Sequence, residues 1–181
     1  MEYKIIRSSR KTLALQVKDA ELIVRAPYRK TEKEIKAFVE KHEDWIRRTV
    51  EAQTLRLKEP IVMLTRQEID DLIDDGNREL PKIVEFYAQR IGVTYDKVRV
   101  KVLRSKWGSC SENGNLSFNC LLMLAPREVI ESVVVHELCH RKQMNHSEKF
   151  YKEVLRVYPD YYKYHKWLKE HGTGLIRRIP D

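Results

Sequence analysis

Hydrophobic and polar positions alternate with two different periods along this chain. In the opening third, Leu13, Leu15 and Val17 interleave with Thr12, Ala14 and Gln16, a period of two that predicts a strand. Residues 3–7 and 21–27 form similar short runs, separated by the turn-like stretches SSRK and KDA. A small antiparallel sheet is expected there. From Thr31 the period lengthens. Ile35, Phe38, Val39, His42, Trp45 and Ile46 recur at helical spacing, and Thr31 with Glu34 forms a capping box. The pattern predicts one helix reaching about Leu55. Thr65 with Glu68 opens a second helical stretch that ends before Gly92, and Gly76 and Pro81 are expected to kink or interrupt it. Asp70, Asp71, Asp74 and Asp75 read as its solvated face.

Period two returns at residues 97–105, where Val98, Val100 and Val102 alternate with basic residues. Asn113-Gly114 is a hairpin signal between two strand-like segments. After Pro126 the chain reads as a helix over about residues 127–142. Val129, Ile130, Val133, Val134 and Leu138 make it apolar around most of its circumference, so it should be central and buried. Ser147 caps a further helix carrying Phe150, Tyr151 and Leu155, which Pro159 ends. A last helix is expected to stop at Gly172. There is no internal repeat. The order predicts an α+β fold with antiparallel pairing, arranged as an N-terminal β unit plus long helix (residues 1–60) packed on a core formed by residues 61–181.

Composition narrows the class. Charged residues make up 34% and hydrophobic residues 42% of the 181, a globular balance. No apolar run approaches the roughly 18 residues that span a bilayer, and the start MEYKIIRSSRK lacks a signal-peptide core. A cytoplasmic protein without membrane association is expected. Cys110, Cys120 and Cys139 contain no C-x-x-C pair and read as reduced thiols rather than a disulfide framework. The net charge of +8, from 35 basic and 27 acidic residues, favours anionic partners without naming one.

The candidate chemistry lies in the buried helix. His136, Glu137 and His140 form His-Glu-x-x-His. Positions four apart share a helix face, so both imidazoles reach one ion, and Zn²⁺ accepts neutral nitrogen ligands. Glu137 stands one residue aside, where it can move protons for an attacking water. The five-residue pattern is short enough to arise by chance, and His146 sharpens it. On a continued helix His146 would point about 240° away from His140, so the chain must turn after about residue 142. Asn145 tolerates a left-handed conformation, and Ser147 starts the next helix at once. Core histidines or a purely structural zinc are the competing readings. Three histidines leave a fourth position open, which favours catalysis.

The segments SKWGSCSENGNLSFNCLLMLAP, VIESVVVHELCH and MNHSEKFY, with the start RSSRKTLALQV…VRAP, resemble the YgjP-like metallopeptidases, relatives of the SprT-like and WLM zincins. The resemblance spans nearly the whole chain. It implies a zincin-like fold of small antiparallel sheets and a central His-Glu-x-x-His helix with flanking helices. It implies a zinc cofactor held by His136, His140 and His146, with Glu137 as general base. It also implies an extended peptide or protein substrate paired to an edge strand, here expected at about residues 115–122. Trp107, Asn119 and Tyr151 are the candidate substrate contacts. Tyr151 and Lys106 are the nearest candidates for stabilising an oxyanion, with packing and surface roles the simpler reading. Lys106 stands where the family usually has Arg, so a bidentate role does not carry over. The ligand spacing also equals that of metzincins, but Gln143 replaces their glycine, which argues for a different turn.

Two other functions fit parts of the sequence. A metal-activated water beside the basic 101–106 segment suits a nucleoside triphosphate pyrophosphohydrolase, although no phosphate-binding Gly-rich loop is present. A non-catalytic, zinc-stabilised module could bind nucleic acid or protein through Trp107, Trp167 and the tyrosines at 158–164.

Overall fold

In the computed structural model, which describes residues 2–58 and 60–180 and only the backbone of Arg56, the chain divides into two units, Met1–Pro60 and Ile61–Asp181. The first holds β1 (Lys4–Ser8), β2 (Ala14–Lys18), β3 (Glu21–Pro27), α1 (Glu32–Lys41) and α2 (Glu43–Lys58). Alternate residues of β3, namely Leu22, Val24 and Ala26, are buried with Ile35, Val39 and Ile46 of the helices. The single helix expected here is broken at His42, which leaves helical geometry at φ −114°, ψ 17°. Its Nδ1 lies 2.8 Å from the Phe38 carbonyl, which ends α1 with a side-chain partner for an orphaned backbone group.

The second unit carries α3 (Arg66–Ile91), β4 (Val98–Lys101), β5 (Gly108–Cys110), β6 (Leu116–Asn119), a 3₁₀ turn at Cys120–Leu124, α4 (Arg127–Cys139), α5 (Glu148–Val157) and α6 (Tyr161–Ile176). α3 runs unbroken through Gly76 and Pro81, against expectation. Leu72, Gly76, Leu80, Ile83, Val84, Tyr87, Ala88 and Ile91 form one buried face, whose packing outweighs the roughly 3 kcal/mol that proline costs a helix interior. The Thr65–Glu68 capping box and a left-handed Gly92 close its two ends.

Both sheets are mixed, which corrects the expectation of purely antiparallel pairing. Their orders are β1-β3-β2 and β4-β6-β5, with the third strand of each in the middle. In each sheet it pairs in parallel with the first strand and antiparallel with the second. The Asn113-Gly114 hairpin joins β5 to β6 as predicted, with Gly114 at φ +82°. The strand expected to pair with substrate is therefore central, and β4 and β5 are the edges.

α4 is the centre of its unit, packed by α3, α5, α6, β5 and the 3₁₀ turn. Val129, Val134, Val135, Leu138 and Cys139 are fully buried. The described residues form an α+β fold of six helices and two three-stranded sheets, and none of these helices is long and apolar enough to cross a membrane.

α6 continues through Gly172 to Ile176 instead of stopping there. Gly172 faces the indole of Trp107, and a Cβ at this position would lie 2.8 Å from Cζ2. Gly172→Ala should therefore cost about 1–2 kcal/mol of stability, read as a lower urea midpoint, even though alanine favours helix. A midpoint at or above that of the wild type would show that the indole gives way freely.

Candidate metal centre

The apolar sides of α4 bury it, and the same burial carries His136, Glu137 and His140 into the core. α4 ends at Cys139 with His140 as its C-cap, about three residues earlier than the sequence pattern implies. The exit tightens through Arg141 N–H to Leu138 O (3.0 Å) and Lys142 N–H to Cys139 O (3.0 Å), bonds of 3₁₀ type. Arg141 then donates Nε–H to Thr94 O (3.0 Å) and Nη1–H to Glu112 O (2.6 Å), clamping the exit to two neighbouring loops. The expected left-handed Asn145 is not found. Among the described non-glycine residues, only Asp19 and Ala20 have positive φ. Because the turn needs no left-handed residue, Gln143 replaces glycine there without strain. Ser147 caps α5 as predicted, its Oγ accepting from Phe150 N–H at 3.4 Å.

This turn returns His146 to the helix. One ring nitrogen from each of His136, His140 and His146 lies within 4.8 Å of the others. The Nε2 atoms of His136 and His146 are 3.0 Å apart. Two imidazole lone pairs at that distance must share a proton or a cation. Tetrahedral zinc, with bonds of about 2.1 Å, spaces its nitrogen ligands about 3.4 Å apart, so small ring rotations accommodate it. The donor set of three imidazoles without thiolate also suits zinc.

The rings are held from behind. Phe150, fully buried on α5, touches all three, with centroid distances of 4.9 Å to His136, 4.6 Å to His140 and 4.9 Å to His146. His140 Nδ1 is 3.1 Å from Gln143 O, and His136 Nδ1 is 2.8 Å from the Tyr161 hydroxyl. Sequence reasoning missed both Phe150 and Tyr161 as parts of the site. Phe150 read as a helix-face residue and Tyr161 as one of a packing cluster, and only the sequence proximity of Phe150 to His146 gave any signal.

Burial, together with the neighbouring imidazoles of His140, His146 and His165, pushes His136 down to about 3. Burial lowers His140 as well, opposed by its bond to Gln143 and reinforced by His146. Both are neutral near pH 7 and able to donate lone pairs. Glu137 is 7% exposed, and burial pushes its carboxyl up to about 7, against the pull of Lys106. Its Cγ and Oε1 lie against Gly108 of β5, where an added Cβ would come within 2.7 Å of either atom.

The candidate substrate residues separate. Tyr151 is half-buried beside the site, 6.2 Å from His146 and stacked on the exposed Tyr162 at 6.0 Å. Trp107 uses its indole to pack on α6. Asn119 is fully buried and is no substrate contact. Its Nδ2 donates to Leu103 O (2.6 Å) and Lys106 O (3.2 Å), and its Oδ1 accepts from Leu121 N–H (3.2 Å). It instead fixes the loop that leads into β5. His165 lies 3.5 Å from the Tyr161 hydroxyl, and His171 stacks on Trp167.

The family model of the YgjP-like metallopeptidase domain matches residues 11–61 and 64–171. No curated protein matches the sequence. Two solved structures are similar in part. The metallopeptidase zymogen abylysin of Pyrococcus abyssi is 21% identical, covering 50% of this chain and 92% of that one, with a TM-score of 0.45. The metallopeptidase zymogen jannalysin of Methanocaldococcus jannaschii is 19% identical, covering 51% of this chain and 95% of that one, with a TM-score of 0.46.

The two buried titrations have opposite signs in metal-stripped protein. His136, depressed from 6.5 to about 3, makes stability fall as pH drops through that window. Glu137, raised from 4.5 to about 7, makes stability fall as pH rises from 4.5 to 7. Glu137→Gln removes only the second effect. Its stability relative to wild type, and with it the melting temperature, should therefore climb between pH 4.5 and 7 and then level, for a gain of about 3 kcal/mol at most. Thermal melts across that range check this, and a pH-independent difference would rule it out.

Proposed function

The chain belongs to the YgjP-like metallopeptidase family, and from that premise we propose that it is a zinc-dependent peptidase with Glu137 as its proton carrier. The observation that carries this reading is the convergence of the His136, His140 and His146 nitrogens within 4.8 Å, with the buried Glu137 carboxyl adjoining His136 in sequence. A zinc ion held by the three imidazoles would supply a Lewis acid that polarises a scissile carbonyl and acidifies water.

The remaining work falls to the chain's own groups. Glu137 has its carboxyl pushed up to about 7, where it can take a proton and give it back near neutrality. A nearby cation would favour its anion and lower that value, readying it as a base. Glu137 then takes the proton of the attacking water and returns it to the leaving amine. Neutral His136 and His140 keep their lone pairs for the ion.

The substrate edge moves from β6 to β5. Trp107 O accepts from Asn119 N–H (2.9 Å) and Ser111 N–H donates to Asn115 O (3.0 Å), so residues 107, 109 and 111 turn their backbone groups toward β6. Gly108 and Cys110 therefore direct theirs to the open edge, where an extended peptide adds as a strand. Because Gly108 lies against Glu137, a peptide seated there runs beside the base. This edge supports a peptide over a nucleotide or nucleic-acid ligand, because it selects backbone amides rather than phosphates or bases.

Glu137→Gln should retain one zinc per chain by metal analysis and lose about 10²–10⁴-fold in turnover of a quenched unfolded-peptide substrate. Full turnover in this variant would sink the mechanism. Gly108→Ala, whose methyl would displace the Glu137 carboxyl, should likewise keep zinc and lose turnover.

A further inference from the structure

Tyr161 stands at the first turn of α6 and is 3% exposed, yet its hydroxyl reaches the back of His136. The ring is parallel to the imidazole, with an interplanar angle of 17° and centroids 5.8 Å apart. It also stacks on His165, at 5.4 Å and 19°. The hydroxyl lies between two ring nitrogens, 2.8 Å from His136 Nδ1 and 3.5 Å from His165 Nδ1. We propose that Tyr161 is the positioning residue of the metal site, its hydroxyl holding His136 in the tautomer and ring plane that turn Nε2 toward His140 and His146.

The proton assignment follows from the geometry. Nε2 of His136 faces the other two imidazoles, so a ligand role requires its lone pair to be free there. The single proton of the neutral ring must then sit on Nδ1, which donates to the Tyr161 oxygen. The tyrosine's own proton is left to donate, and His165 Nδ1 is the acceptor in reach. A hydroxyl that accepts from a ligand histidine fixes its orientation and raises its basicity without adding charge to the site. The other two ligands are held differently. His140 bonds to the backbone carbonyl of Gln143, which ties it to the turn. His146 is exposed and rests on Phe150 and Tyr151. Tyr161 is thus the side-chain link by which α6 orients a group on α4.

The proposal rests on the zinc reading above, and metal binding separates the two. Zinc affinity is measured by chelator competition for wild type, Tyr161→Phe and Tyr162→Phe. Tyr161→Phe keeps the ring and its stacking, and zinc binding should weaken by about 10- to 100-fold. Tyr162→Phe removes a neighbouring hydroxyl not aimed at a ligand, and should bind as wild type does. In the zinc-loaded wild type, nitrogen-detected spectra should show a slowly exchanging proton on His136 Nδ1, lost in Tyr161→Phe. Unchanged affinity in Tyr161→Phe, an equal loss in Tyr162→Phe, or a freely exchanging Nδ1 proton in the wild type would overturn the assignment of Tyr161 and leave the zinc reading standing. If Tyr161→Phe does not fold, the wild-type Nδ1 proton alone decides. A wild-type protein that binds no zinc would remove both.

Discussion

The second unit depends on one constraint: a central, largely apolar helix brings His136, Glu137 and His140 to the core, where their polar groups need partners. α4 can occupy the centre of the core only because His136, Glu137 and His140 are turned where burial is tolerable. The imidazoles meet His146 and one another, backed by the Phe150 ring, and the carboxyl lies along Gly108. The burial that stabilises the helix is also what sets the chemistry. It keeps the histidines neutral, so that they can donate lone pairs, and it holds the carboxyl near the midpoint of its titration. Packing and reactivity are here two consequences of the same desolvation.

What was legible in the sequence was local. Two capping boxes, the Ser147 cap, the Asn113-Gly114 hairpin and the central place of α4 all rest on residues within a few positions of one another. The gathering of His136, His140 and His146 was also readable, because a helix fixes two of them and only a turn of the right length was needed for the third. What the sequence concealed was non-local. α3 survives Gly76 and Pro81 because its buried face is continuous, and α6 survives Gly172 because Trp107 occupies the space a side chain would need. The early end of α4 comes from 3₁₀ bonds and the Arg141 clamp to loops about 30 and 47 residues away in sequence. None of these partners leaves a mark on the hydrophobic pattern.

Strand order is the most consequential of the concealed features. A simple meander would place β6 at the edge, because sequential strands usually neighbour one another. Here β6 lies between β4 and β5, so its backbone is used on both sides and its Asn119 is sealed inside. The edge beside Glu137 is instead β5, a three-residue strand. Such a short edge offers little for unwanted sheet addition, yet it presents the Gly108 and Cys110 groups beside the carboxyl.

Two separate sets of contacts therefore position the two halves of the proposed site. The imidazoles are set by α4, the Arg141 turn, Phe150 and Tyr161. The carboxyl is set by β5, whose approach is fixed by Asn119 on Leu103 and Lys106, and by Trp107 against Gly172 of α6. A change on the β5 side can move the Glu137 carboxyl while leaving the three imidazoles in place. A change behind the histidines can spread the imidazoles while leaving the carboxyl under its strand. α6 touches both sets, through Gly172 on one and Tyr161 on the other, which makes this helix the common frame on which carboxyl and imidazoles keep their spacing.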